Sequence, residues 1–272
     1  MTNQRELLKN KKRIVVKIGT SSLSYPNGRL NFQRIEKLAY VLSAIRRKGI
    51  QVILVSSGAI GVGAGRLGMS EKPVDLAQKQ ALAAIGQAEL IKIYQKFFSD
   101  HNQIVAQVLL TKDVIDNSVR HLNAESTIER LLQMEIIPII NENDTISTYE
   151  IEFGDNDTLS AIVAKLVQAD LLIMLSDIDG LYSSDPRITD NAEIIHTVTE
   201  ITPELERLAN GAGTSFSTGG MITKLAAAKL CNEEHIDVVI TNGSMPEIIA
   251  NILEGKEVGT HFIPKKTDDR NI

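Results

Sequence analysis

The chain reads as an α/β protein: a three-layer αβα sandwich around a mostly parallel central sheet. Three observations predict it. Apolar runs of strand length recur along the 272 residues, segments with a 3.6-residue apolar period separate them, and polar loops rich in Gly, Ser, Asn and Asp follow the runs. No linker, repeat or low-complexity stretch breaks the alternation, so one domain with two functional lobes is expected.

Residues 1–12 are charged and read as a frayed arm. Residues 14–18 (IVVKI) make the first strand, with Lys17 interrupting the apolar run just before Gly19-Thr20-Ser21-Ser22. Desolvating an ammonium is costly, so Lys17 either snorkels to solvent or meets an anion. The turn beside it favours phosphate. A helix over 31–48 turns Ile35, Leu38, Ala39, Leu42 and Ile45 inward and stops at Gly49.

Residues 51–55 (QVILV) form the second strand and run into Ser56-Ser57-Gly58-Ala59, small residues that bring backbone N–H groups close to a ligand at a helix N-terminus. Gly63, Gly65 and Gly68 match G-x-G-x-x-G. The first of them lies well past the strand end, so the context of a dinucleotide fingerprint fails. An Ala-rich helix covers 75–99, a third strand 104–109, and a helix 118–133.

The stretch 136–165 is the most informative. It opens with the apolar run 136–140 and closes on Leu159, Ile162, Val163 and Leu166, a helix face. Between them stand Asn141-Glu142-Asn143-Asp144 and Gly154-Asp155-Asn156-Asp157. Capping would explain Asp155 or Asp157 alone. Two such clusters flanking one hairpin-like segment favour a small polar ligand at the sheet edge.

Residues 171–175 form a fifth strand ending in Ser176 and Asp177. Residues 183–215 read as irregular apart from a short helix near 203–209. Ser217-Thr218-Gly219-Gly220-Met221-Ile222-Thr223-Lys224 opens a helix. A strand over 237–241, a helix over 246–253, an edge strand over 260–263 and a disordered tail over 265–272 complete the chain.

Composition narrows the function. A formal charge of −5 without a basic stripe argues against nucleic acid. The single Cys231 excludes an internal disulfide framework or thiolate metal site, and its helix suggests a buried structural thiol. The first residues lack the apolar core of a signal peptide, and no run approaches the ~20 residues that span a bilayer. A cytoplasmic protein without membrane partners is expected. The five histidines (His101, His121, His196, His235 and His261) fall where solvated imidazoles are the default.

In an open parallel sheet the loops after the strands converge on one crevice. That crevice holds Lys17 and Lys224, several carboxylates and many glycines and hydroxyls, which implies phosphate. No G-x-x-x-x-G-K-[ST] occurs, so this is not a P-loop enzyme. An acceptor carboxylate, with a pKa near ~4.3, would be ionised and need no general base. The absence of a site histidine fits that chemistry.

Taken together, Lys17-Ile18-Gly19-Thr20-Ser21, Ser56-Ser57-Gly58-Ala59-Ile60, Asn141-Glu142-Asn143-Asp144, Gly154-Asp155-Asn156-Asp157 and Thr218-Gly219-Gly220-Met221 with Lys224 resemble the glutamate 5-kinase branch of the amino acid kinase family. The match runs in order from about Lys12 to Pro264, which implies an amino acid kinase domain over 13–264. The resemblance implies phosphorylation of the L-glutamate side-chain carboxylate by ATP with Mg²⁺ carried mainly on the nucleotide phosphates, at the start of proline synthesis. It assigns the catalytic roles to Lys17, Lys224 and Asp157, glutamate contacts to Ser57, Gly58, Asp144 and Asn156, and the nucleotide side to Ser176, Asp177 and Thr218, Gly219, Gly220, Met221, Ile222, Thr223 and Lys224. No protein-borne metal site is implied. The acceptor lobe would extend to about residue 168, with the nucleotide lobe after it. The family further implies a homo-oligomer (dimer or tetramer), inhibition by proline, and handover of the acyl phosphate to glutamyl-phosphate reductase. Two departures stand out: Ser217 replaces the usual glycine, and the chain stops before the PUA domain that many members carry.

Overall fold

The computed structural model describes residues 4–25, 29–69, 73, 75–146, 156–184, 186, 189, 191–211 and 220–265. Among these residues eight strands form one sheet: β1 (Arg13–Ile18), β2 (Gln51–Ser56), β3 (Val105–Leu110), β4 (Ile137–Glu142), β5 (Leu171–Ser176), β6 (Thr197–Val198), β7 (Asp237–Asn242) and β8 (Thr260–Phe262). Their order is β3-β4-β2-β1-β5-β7-β8-β6, and every pairing is parallel except β7 with β8. The helices are α1 (Thr20–Leu23), α2 (Phe32–Arg47), α3 (Ala59–Arg66), α4 (Leu76–Ser99), α5 (Ser118–Gln133), α6 (Asn156–Leu166), α7 (Pro203–Gly211), α8 (Met221–Glu233) and α9 (Ile248–Leu253). The expected sandwich is present.

Strand parity divides the core between the two faces. Ile14, Val16 and Ile18 of β1 point with Val52 and Leu54 of β2 toward α2, α4 and α9. Val15 points the other way, with Ile53, Val55 and Ile140, toward α5, α6 and α8. Lys17 has the parity of Val15. The interruption noticed in the sequence is therefore aimed at the N-terminal ends of α6 and α8, at the carboxyl end of the sheet.

Helix ends follow local chemistry. Asn31, Asp75 and Asn117 accept backbone N–H groups as N-caps of α2, α4 and α5. Gly49 ends α2 at a φ of +83°. Asn102, Glu135, Gln168 and His235 take the same left-handed position after α4, α5, α6 and α8, each closed by two backbone bonds back into the helix. Only one of these five stops is a glycine, so the other four helix ends lack the usual sequence mark.

Four expectations are corrected. Residues 4–10 form a docked 3-10 helix rather than a frayed arm: Arg5 is buried and donates to the carbonyls of Val258, His196 and Gly259, and Leu8 enters the core. The segment 183–215 contains β6, a strand of two residues, too short to show a period. Because β6 pairs with β8, β8 is interior and β6 is the edge. His261 is also not solvated; it is 1% exposed, with Nε2 2.6 Å from Asp237 Oδ1. Cys231 is buried as expected, and burial pushes its thiol up to about 12. The tail over 266–272 lies outside the described residues, and among these no helix is long and apolar enough to cross a membrane.

Candidate active site

Lys17, Asp157 and Lys224 meet at the carboxyl end of β1. Lys17 Nζ stands 2.6 Å from Asp157 Oδ1, and Lys224 Nζ stands 3.0 Å from Asp157 Oδ2. The three residues are 7%, 1% and 6% exposed, so these charges interact with little screening by water. Burial opposes ionisation of Asp157, but the two ammonium groups outweigh it and hold its carboxyl down at about 2. Asp157 lies in the first turn of α6 and Lys224 in the first turn of α8, where the exposed N–H groups favour a bound anion. Thr223 Oγ1 lies 2.8 Å from Asp157 Oδ2 and 2.9 Å from the Gly220 carbonyl. Its hydroxyl thus touches both the carboxylate and the turn that opens α8.

Beside this triad, Ser57 and Asn156 are in contact. Asn156 Nδ2 lies 2.7 Å from Ser57 Oγ, 3.0 Å from Asn141 Oδ1 and 3.2 Å from the Ser56 carbonyl. Gly58 caps α3 at a φ of +104°, a backbone that disfavours any side chain. Asp144 is buried just beyond β4. The set assigned to the acceptor is thus gathered at the ends of β2 and β4 and the start of α6.

Helix α4 backs this group. Ser56 and Asn141 have the parity that faces α4, and there Tyr94 OH lies 2.8 Å from Ser56 Oγ while Gln87 Oε1 accepts from Asn141 Nδ2 at 2.8 Å. Helix α3 sits equally tightly on α4. A Cβ at Gly86 would fall 1.7 Å from the Ala59 carbonyl oxygen, and one at Gly63 would fall 2.0 Å from that of Leu82. Gly63 of the G-x-G-x-x-G match is therefore a packing glycine. Gln87 and Asn141 were not assigned roles from the sequence. The mark was there: Gln87, Leu90 and Tyr94 share one face of α4 by i, i+3, i+7 spacing, and a polar residue on an otherwise buried face is informative.

On the other side of the triad, Ser176 is buried at the end of β5, and its Oγ donates to Asp177 Oδ1 at 3.1 Å. A cleft of about 600 Å³ opens here, lined among others by Thr20, Ser21, Ser176, Asp177 and Asn242. Asn242 Nδ2 donates to Asp179 Oδ1 at 2.8 Å, tying the loops after β7 and β5. Gly220, Met221, Ile222 and Thr223 form the start of α8; the Met221 side chain packs into the core, while Ile222 is exposed. Thr218 and Gly219, like Gly154 and Asp155, lie outside the described residues.

A model of the amino acid kinase family matches residues 12–242. The chain belongs to the amino acid kinase family. Within it, the chain is 54% identical to a protein named glutamate 5-kinase from Listeria welshimeri, with 96% of each chain covered. It is likewise 54% identical to a glutamate 5-kinase from Clostridium perfringens, over 96% of this chain and 99% of that one. A glutamate 5-kinase from Caldanaerobacter subterraneus is 51% identical over 93% of this chain but only 68% of its own length. Among solved structures, UMP kinase from Ureaplasma parvum superposes with a TM-score of 0.62 at 21% identity, covering 93% of this chain and 99% of the other. That likeness speaks to the fold of this amino acid kinase.

Proposed function

We propose that this protein is a glutamate 5-kinase, transferring the γ-phosphoryl group of ATP to the side-chain carboxylate of L-glutamate. The single observation that carries the reading is the buried carboxylate shared by two lysines, Lys17 and Lys224, between a nucleotide-side cleft and an amide- and hydroxyl-lined acceptor side. The identity to glutamate 5-kinases over 96% of the chain supports the choice of acceptor.

In this reading a glutamate carboxylate oxygen attacks the γ-phosphorus, the P–O bond to ADP breaks, and an acyl phosphate forms. The acceptor is already ionised, so no residue needs to remove a proton. Lys17 and Lys224 neutralise charge on the transferring group, and Asp157 holds both ammoniums in place beforehand, which is the preorganised electrostatic stabilisation that phosphoryl transfer requires. Ser57, Gly58, Asp144 and Asn156 hold glutamate, with Asp144 receiving its α-ammonium. Ser176, Asp177 and the start of α8, with Thr218 and Gly219, hold the nucleotide. In this reading Mg²⁺ is carried mainly on the nucleotide phosphates. Proline, which offers the same ammonium and α-carboxylate as glutamate, competes at this site. A homo-oligomer that hands its unstable product to glutamyl-phosphate reductase completes the proposal.

The test is acyl phosphate formation trapped by hydroxylamine, with ATP, Mg²⁺ and one of glutamate, N-acetylglutamate or aspartate. Hydroxamate that depends on glutamate supports the reading. Hydroxamate with another acid, or none with any, overturns it.

A further inference from the structure

We propose that Gln87 of α4 is a positioning residue for the acceptor, setting the polarity of the Asn156 amide through Asn141. The inference rests on the glutamate-kinase reading and adds a residue which that reading does not contain.

An amide side chain has a donor end and an acceptor end of nearly equal shape, so its orientation is decided by its neighbours. Gln87 Oε1 accepts from Asn141 Nδ2 at 2.8 Å. This bond turns Asn141 Oδ1 toward α6, where it accepts from Asn156 Nδ2 at 3.0 Å. The Asn156 nitrogen has two hydrogens and faces three oxygens: Asn141 Oδ1, Ser57 Oγ at 2.7 Å and the Ser56 carbonyl at 3.2 Å. Ser57 can reverse its role, because a hydroxyl donates as well as accepts. The Ser56 carbonyl is the most distant of the three. Asn141 Oδ1 is therefore the nearer of the two oxygens that only accept, and Gln87 decides which end of the Asn141 amide faces Asn156.

The consequence falls on the other end of the Asn156 amide. All its donor capacity is engaged by protein oxygens, and Oδ1, in a side chain 2% exposed, has no hydrogen-bond partner among the described residues. A buried amide oxygen left in that state is unfavourable until a donor reaches it. The site thus presents an acceptor, which suits the ammonium of a free amino acid. With Asn141 reversed, its nitrogen would face that of Asn156, and both amides would be pushed toward the opposite arrangement. Gln87 is partly solvated and reaches Asn156 only through Asn141, so this effect acts on binding geometry rather than on the phosphoryl group.

Gln87→Leu removes the acceptor, whereas Gln87→Glu keeps an oxygen at the same reach. Steady-state kinetics with glutamate and ATP varied separately, together with thermal unfolding, test the proposal. The expected result for Gln87→Leu is a KM for glutamate raised roughly five- to tenfold, the loss of about one hydrogen bond, with KM for ATP and the unfolding midpoint near wild type. Gln87→Glu should restore KM for glutamate most of the way. An unchanged KM for glutamate in Gln87→Leu overturns the proposal, as does a Gln87→Glu variant equally defective. A parallel rise in both KM values with a lowered midpoint also overturns it, because that pattern marks a packing role. Wild-type protein without glutamate-dependent turnover would instead overturn the functional reading, and this inference with it.

Discussion

Lys17 Nζ lies 2.6 Å from Asp157 Oδ1, although one residue ends a strand and the other begins a helix far along the chain. The contact pairs a lysine and an aspartate that both lie below 8% exposure, with Lys224 on the second carboxylate oxygen. Removing the negative charge would leave two buried ammonium groups against each other. Asp157→Asn should therefore lose stability by about 3–5 kcal/mol, as expected when one member of a buried charge cluster is removed. Urea unfolding reads the loss; a variant as stable as wild type would show that the lysines find other partners.

The same cluster predicts an acid limb. The carboxyl of Asp157 is depressed from 3.8 to about 2 in the folded protein, so its ionised form favours folding. That contribution is complete above about pH 4 and is lost as the pH falls from there toward 2, because across that window the unfolded chain takes up the proton while the folded carboxyl stays ionised. Unfolding free energies measured in wild type across this window should fall more steeply than in Asp157→Asn. Equal slopes would contradict the assignment.

Phosphoryl transfer should depend on each lysine separately. Lys17→Ala and Lys224→Ala each remove one preorganised cation, a loss of roughly 10²–10³ in kcat. The comparison is made on folded protein at saturating ATP and glutamate. Drops of less than about threefold for both, well under one decade at ~1.4 kcal/mol, would remove them from the catalytic roles.

Asp144 tests the shared acceptor and inhibitor site. Asp144→Asn should raise KM for glutamate by about tenfold or more, since charge-assisted contacts contribute roughly 1.5–3 kcal/mol, with little effect on KM for ATP. Proline titrated at several glutamate concentrations should inhibit competitively in wild type and weakly in the variant. Inhibition indifferent to glutamate would separate the two sites.

Gly86 and Gln168 make opposite predictions about glycine. Gly86→Ala places a methyl 1.7 Å from the Ala59 carbonyl oxygen, so α3 must move from α4. A loss of about 1–3 kcal/mol or more is expected, together with weaker glutamate binding, because α3 starts at Gly58. At Gln168, which is exposed and held at a φ of +48°, glycine relieves a left-handed backbone instead. Gln168→Gly should gain on the order of 0.5–1 kcal/mol in urea unfolding, the strain of a non-glycine residue less the added freedom of the unfolded chain.

What could be read from residues in order was whatever is encoded locally. Ile14 to Ile18 declared a strand by its own apolar run, and the helices over 31–48, 75–99 and 118–133 declared themselves by their own residue pattern, which lies within each segment. Lys17 stood out because a charge interrupted that run, and the clusters around Asn141 and Asn156 stood out by their density. Local encoding failed where a residue's partner lies elsewhere. β6 has two residues and exists through its pairing with β8, and Arg5 is ordered by the carbonyls of His196, Val258 and Gly259, all more than 190 residues away.

The site itself was a tertiary decision. The order β3-β4-β2-β1-β5-β7-β8-β6 sets β1 beside β2 and β5, and strand parity then turns Lys17 toward α6 and α8. Only that arrangement makes Asp157 the common partner of Lys17 and Lys224. Parity likewise turns Ser56 and Asn141 toward α4, where Tyr94 and Gln87 wait on one helical face. A polar side chain announces that it needs a partner, because burial without one is costly. Which partner it meets depends on how the sheet is stacked, and that is a property of the whole fold.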